Sequence, residues 1–137
     1  MRKIGFSLEP GSGLPPYLQI VKQVEFAIAL GHLNQGDQLP TVKEIVEMIA
    51  INPNTVLKAF RELEYKGITH SIPGKGTFIV STGQTAEVSL LEELRRSFRD
   101  EWLILAAKSG LSRHTIEGIL FEEIRSFDFK SEIEMYE

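Results

Sequence analysis

Cysteine is absent from the 137 residues. That excludes a disulfide scaffold, a thiol nucleophile and a cysteine-ligated zinc or iron–sulfur centre, and it fits a reducing cytosol. Long apolar runs are missing too. Nothing approaches the roughly 20 apolar residues of a membrane-spanning helix, and Met1-Arg2-Lys3 leads into no signal-peptide core. Internal repeats and low-complexity tracts are lacking. His32, His70 and His114 stand singly, without metal-ligand spacing. No nucleophile–base pair or phosphate-binding loop stands out. The neighbouring acids Glu92-Glu93 and Glu122-Glu123 diverge on a helix and cannot cooperate in catalysis. The expectation is a soluble, cytoplasmic protein with no catalytic residues, no metal, no cofactor and no membrane partner.

What is present is ordinary globular material, 42% hydrophobic and 25% charged, enough for one domain with an appendage. Charge is unevenly spread. Residues 1–80 hold eight Lys and Arg against seven Asp and Glu, a net of +1, whereas residues 81–137 hold seven against twelve, a net of −5. The acidic excess therefore sits in the tail. The first eighty residues permit a nucleic-acid contact if their bases gather on one face.

Along the chain, Ile4-Gly5-Phe6-Ser7-Leu8 alternates like a short strand. Pro15 and Pro16 open a helix on which Tyr17, Val21, Val24 and Ile28 repeat at helical spacing, up to Gly31. Thr41 and Glu44 form a capping box for a second helix with Ile45, Met48 and Ile49 as its apolar stripe. Asn52-Pro53 ends it and starts a third helix, whose Val56, Ala59, Phe60 and Leu63 face inward until Gly67. Two β-prone runs, 68–72 and 77–80, flank Pro73-Gly74-Lys75-Gly76 and predict a hairpin. Residues 81–85 are a linker. Leu91, Leu94, Phe98, Trp102 and Leu105 then predict one long amphipathic helix ending at Gly110. Ser112 caps a last helix carrying Ile116, Leu120, Ile124 and Phe127.

The predicted fold is α+β, an N-terminal winged helix-turn-helix (three helices plus a β-hairpin wing) over residues 1–80. A two-helix C-terminal dimerisation tail follows over 86–137. In such a layout the third helix enters the major groove and its first turn faces base edges. Those residues are Asn52, Asn54 and Thr55. Asn52 is favoured as a cap, whereas Asn54, which no cap explains, carries the donor and acceptor that bidentate reading of adenine needs. Free backbone N–H groups there suit a phosphate. Lys58 and Arg61 extend the contact, although Arg61 pairs equally well with Glu62 or Glu64. Thr41 and Lys43 hold the flanking backbone. At the hairpin tip, Gly74 and Gly76 let the chain approach closely while Lys75 enters the minor groove.

These residues resemble the GntR family of bacterial regulators. The likeness runs through Pro16-Tyr17-Leu18-Gln19-Ile20 and Gly36-Asp37-Gln38-Leu39-Pro40-Thr41-Val42-Lys43-Glu44. It continues through Asn52-Pro53-Asn54-Thr55-Val56, Phe60-Arg61-Glu62-Leu63-Glu64 and Gly74-Lys75-Gly76-Thr77-Phe78. The short tail is similar to that of the YtrA subfamily, whose two C-terminal helices dimerise. The resemblance implies a repressor that binds a palindromic operator on double-stranded DNA as a homodimer, often beside an ABC-transporter operon. It implies DNA contacts at Lys43, Asn54, Thr55, Lys58, Lys75 and Gly76. Four positions depart from the usual pattern: Lys43 replaces an arginine, Ile72 and Pro73 stand where relatives often have basic residues, and Ala50 replaces a frequent glycine, a change expected to be tolerated.

A two-helix hairpin cannot bury two apolar stripes on itself. Leu91, Leu94, Phe98, Trp102, Leu105, Ile116, Leu120 and Ile124 are therefore the candidate dimer surface. Core packing is favoured over a ligand site for the aromatic residues, and a small-molecule effector stays open. A winged helix that binds another protein is the competing reading, supported only by the acidic balance. A hydrolase or transferase lacks any constellation of residues.

Overall fold

The computed structural model describes residues 4–82 and 86–135. Of the expected linker 81–85, residues 83–85 lie outside the described residues. The chain divides into two compact units, one of residues 1–9 and 14–92 and the other of residues 10–13 and 93–137.

In the first unit α1 (Pro16–Ala29) begins with proline at its first position. Its Ile20, Val21, Val24, Ala27 and Ile28 are buried. Helix α2 (Val42–Ile49) starts at the expected capping box: Thr41 Oγ1 accepts the Glu44 N–H at 3.1 Å, and Glu44 Oε1 accepts the Thr41 N–H at 3.2 Å. Of its expected stripe Ile45 is buried, but Met48 is exposed. The turn to α3 (Pro53–Tyr65) passes through Ala50, which is left-handed at φ 49°, ψ 51°. Helix α3 buries Val56, Ala59, Phe60 and Leu63 on one core with α1 and α2.

Strands β1 (Thr69–Ile72) and β2 (Gly76–Ile79) pair antiparallel, with His70 opposite Phe78. The Lys75 N–H closes on the Ile72 carbonyl at 3.0 Å around Pro73-Gly74, and Gly74 has φ +77°. Proline followed by a positive-φ glycine is the type II turn pattern, which accounts for Ile72-Pro73 at this position. On its other edge β2 is tied to the body of the domain. Leu39 N–H donates to Thr77 O at 2.8 Å, Gly36 N–H to Ile79 O at 2.7 Å, and Ile79 N–H to Asp37 O at 2.8 Å. Backbone bonds on both edges hold β2 in place, and its alternate residues Thr77 and Ile79 turn to the inner face and are buried.

The expected N-terminal strand does not form. Residues 4–8 form no strand, and side-chain amides of α1 take the backbone groups of Ser7 within them and of Glu9 just beyond. Gln23 accepts from the Ser7 N–H and donates to its carbonyl, at 3.0 and 2.6 Å, and Gln19 does the same at Glu9, at 2.8 and 3.1 Å. Only Phe6 of this segment is buried.

In the tail, α4 (Ala86–Ser97) runs into a π-helical turn (Phe98–Leu103) and then α5 (Ile104–Lys108). The Ile104 N–H reaches back five residues to Arg99 O, and Phe98 stacks on Trp102 with ring centroids 5.3 Å apart. The wider turn shifts the helical phase by one residue, so the buried position falls on Ala106 rather than Leu105. Helix α6 (Arg113–Ser126) starts at Ser112, whose hydroxyl accepts the Thr115 N–H at 3.2 Å. It stops at extended Phe127, short of the single last helix expected. A separate α7 (Phe129–Met135) follows, begun by Asp128, whose carboxylate accepts the Ser131 N–H at 3.2 Å.

Candidate nucleic-acid interface

The exposed face of α3 is composed as the sequence suggests. With Val56, Ala59, Phe60 and Leu63 turned inward, helical periodicity leaves Asn54, Leu57, Lys58 and Arg61 exposed on the opposite side. Asn52 acts as the cap, its Oδ1 accepting the Asn54 N–H at 2.8 Å. The Asn54 carboxamide takes no part in that bond and stays exposed. The free N–H groups expected here are not available. Pro53 has none, the Asn54 N–H is bound to the cap, and the Thr55 N–H donates to Asn52 O at 3.0 Å. The half-buried Thr55 packs at the edge of the face. Any phosphate contact at this end of α3 must therefore come from side chains.

Lys58 extends over the Tyr17 ring, its Nζ 4.1 Å from the centroid, so a residue of α1 sets where that cation sits. Arg61 has no ion pair among the described residues. Glu64, one of its expected partners, instead approaches His70 Nδ1 at 3.4 Å and lies 3.5 Å from the Ser71 N–H. Lys43 is exposed in the first turn of α2, beside Thr41, whose oxygen is committed to the capping box.

Lys75 is exposed at the wing tip between Gly74 and Gly76. The tip is braced from below: Gln38 Nε2 donates to the Lys75 carbonyl at 3.0 Å. Gly76 has φ +133°, and a Cβ there would collide with the Gln38 amide. The backbone conformation therefore favours glycine at 76, and any Cβ there would push the Gln38 amide aside. Between α3, the start of α2 and the wing lies a concavity of about 290 Å³, lined among others by Thr41, Leu57, Arg61 and Gly76. Its walls bring together three segments that sequence spacing treats separately.

Three contributors were not singled out as site residues from sequence: Leu57, Tyr17 and Gln38. Only the i, i+3 relation of Leu57 to Asn54 was available as a signal; the other two act through contacts across the fold. Of the candidate tail surface, Leu94, Phe98, Leu105 and Ile124 are exposed, Leu91, Trp102 and Leu120 half-buried, and Ile116 buried. Among the described residues no cluster of His, Cys, Asp or Glu could hold a metal ion, and no helix is long and apolar enough to cross a membrane.

Residues 16–79 match the family described as bacterial regulatory proteins, gntR family. The HTH-type transcriptional repressor YtrA of Bacillus subtilis (strain 168) is 41% identical over 81 residues, 59% of this chain and 62% of that protein. The match thus covers less than two thirds of YtrA. The HTH-type transcriptional regulator YhcF of the same organism, itself uncharacterized, is 32% identical over 109 residues, 79% of this chain and 89% of YhcF. Among solved structures, AraR(DBD) in complex with operator ORE1 superposes with a TM-score of 0.52 at 26% identity, over 56% of this chain and all of that one. On the pattern across residues 16–79 and the nearly full-length match to YhcF, the chain belongs to the gntR family of bacterial regulatory proteins.

Proposed function

We propose that this chain is a cytoplasmic, sequence-specific repressor that binds a palindromic DNA operator as a homodimer and controls a neighbouring operon, one encoding an ABC transporter. The observation that carries the reading is the exposed α3 face. Asn54 and Arg61 point to solvent with no competing partner among the described residues, flanked by Lys43 on α2 and Lys75 on the wing. In this reading Asn54 reads adenine, Arg61 and Lys58 follow the groove wall, Lys43 and Thr41 hold one phosphate, and Lys75 enters the minor groove between Gly74 and Gly76. The repressor role is supported by the name of YtrA, and operator binding by the DNA in the AraR complex.

Dimerisation is supported by the second unit, where Leu105 and Ile124 are each 62% exposed and Phe121 68%. Apolar surface of that extent on so few residues calls for a partner. A two-fold copy would set two α3 helices about one DNA turn, or a multiple, apart.

The test is binding of the full chain to duplexes from the promoters flanking its gene, across a salt series. Specific binding should weaken steeply with salt. Asn54→Ala should lose about 1–3 kcal/mol on the preferred sequence and little on random DNA. Equal loss on both would remove Asn54 from base reading, and failure to bind any fragment at low salt would overturn the proposal.

A further inference from the structure

Leu57 is the one aliphatic residue of α3 left in solvent, 42% exposed, while Val56, Ala59 and Leu63 are buried. A lone exposed leucine is ordinary on a protein surface. The position of this one is not. Residues that read bases from a helix lying in the major groove recur at i, i+3, i+4 and i+7, and on α3 that set is Asn54, Leu57, Lys58 and Arg61. Lys58 is already engaged, its Nζ over the Tyr17 ring. Leu57 is therefore the nearest unengaged neighbour of Asn54 on this face. It also lines a concavity that has buried Leu39 and Phe60 at its floor and Thr41, Arg61 and Gly76 of the candidate interface at its walls.

An alkyl side chain offers no hydrogen bond, so it cannot read the donor and acceptor pattern of a base pair. The major groove presents one apolar group, the C5-methyl of thymine. An adenine held by Asn54 brings its partner's methyl to the same groove edge. From this juxtaposition, and resting on the DNA-binding reading above, we infer that Leu57 is a specificity-determining residue that selects thymine through its C5-methyl group, beside the base pair read by Asn54.

The experiment uses the full chain and duplexes selected from a randomised library by the wild-type protein at low salt. Each thymine of the selected site is replaced in turn by deoxyuridine, which removes the methyl alone, and affinities are measured for wild type and Leu57→Ala. The wild type should lose about fourfold at one thymine per half-site, the loss expected for one buried methyl group. Leu57→Ala should lose a similar factor on the thymine duplex and nothing further on the deoxyuridine duplex. Because Leu57 is exposed, the variant should fold, and an unchanged melting temperature checks this. Wild-type indifference to every deoxyuridine, or a full methyl effect persisting in Leu57→Ala, overturns the inference while leaving DNA binding intact. If the wild type selects no sequence at all, the DNA-binding reading fails first and this one with it.

Discussion

Lys66 Nζ, at the end of α3, donates to Glu25 Oε1 of α1 at 3.0 Å, and the Glu25 side chain is 0% exposed while Lys66 keeps 19%. The second oxygen, Glu25 Oε2, is buried with no partner among the described residues. The carboxylate thus depends on one cation, and that bond joins the end of α3 to α1 beside their shared core. Lys66→Met should leave a buried, uncompensated charge and cost about 3–5 kcal/mol in urea unfolding followed by circular dichroism. Glu25→Met combined with Lys66→Met should recover most of it, because two apolar side chains replace the pair. A single variant as stable as wild type would show that Glu25 is adequately solvated without Lys66.

Ala50 occupies a left-handed conformation at φ 49° in the turn between α2 and α3. A residue with a Cβ is strained there by roughly 1–2 kcal/mol, partly offset because glycine makes the unfolded chain more flexible. Ala50→Gly should therefore stabilise the domain by about 0.5–1 kcal/mol, a rise of several degrees in Tm. Ala50→Val should lower Tm.

Much of this domain is legible in sequence because its chemistry is local. The Thr41–Glu44 box, the Asn52-Pro53 start and the Pro73-Gly74 turn each involve residues within four positions of one another. Contacts that span the fold are not legible in this way. Gln38 reaches Lys75 across 37 positions and Lys66 reaches Glu25 across 41, and no periodicity announces either. Ile4–Leu8 alternates, but Ser7 and the following Glu9 find their backbone partners in the Gln23 and Gln19 amides rather than in a strand. In the candidate site, polar and basic side chains identify themselves on an exposed helix. Leu57 does not, since an apolar residue beside a buried stripe is by default assigned to the core. The tail's phase slip was hidden because Phe98, Trp102 and Leu105 fit a regular helix equally well on paper.

The Gln38 amide holds the wing through one hydrogen bond to the Lys75 carbonyl. Gln38→Ala should loosen the tip and weaken DNA binding by about 1 kcal/mol, roughly fivefold, with a salt slope as flat as that of Lys75→Ala. The two substitutions should be strongly non-additive in a double-mutant cycle read by fluorescence anisotropy. Additive effects would mean that Gln38 supports the domain generally and not the Lys75 contact.

Asp128 has its pKa lowered below 3.8, first by the hydrogen bond from the Ser131 backbone and then by the Ser131 side chain, with Lys130 adding to it. A carboxylate with a depressed folded pKa contributes stability above its unfolded pKa and loses it as pH falls through the folded value. The helical signal of α7 should therefore hold from neutrality to about pH 4 and decline below 3.8, whereas Asp128→Asn should show no such step. Amide chemical shifts of residues 129–135 followed by pH titration check this. A transition centred above the usual carboxylate range would assign the change to another group.

Leu105 and Ile124 offer the cleanest test of the tail as a pairing surface, because both are 62% exposed. Trp102 is a poorer target, since it is half-buried and stacked on Phe98. If two copies bury these leucine and isoleucine side chains against each other, placing a carboxylate there desolvates a charge with no partner. Leu105→Glu and Ile124→Glu should each shift the protein from dimer to monomer in sedimentation equilibrium at micromolar concentration, with little change in Tm at low concentration. Operator affinity should fall with them, because one half-site alone supplies only half the contacts. A double variant that sediments as a dimer would move the pairing surface off the tail.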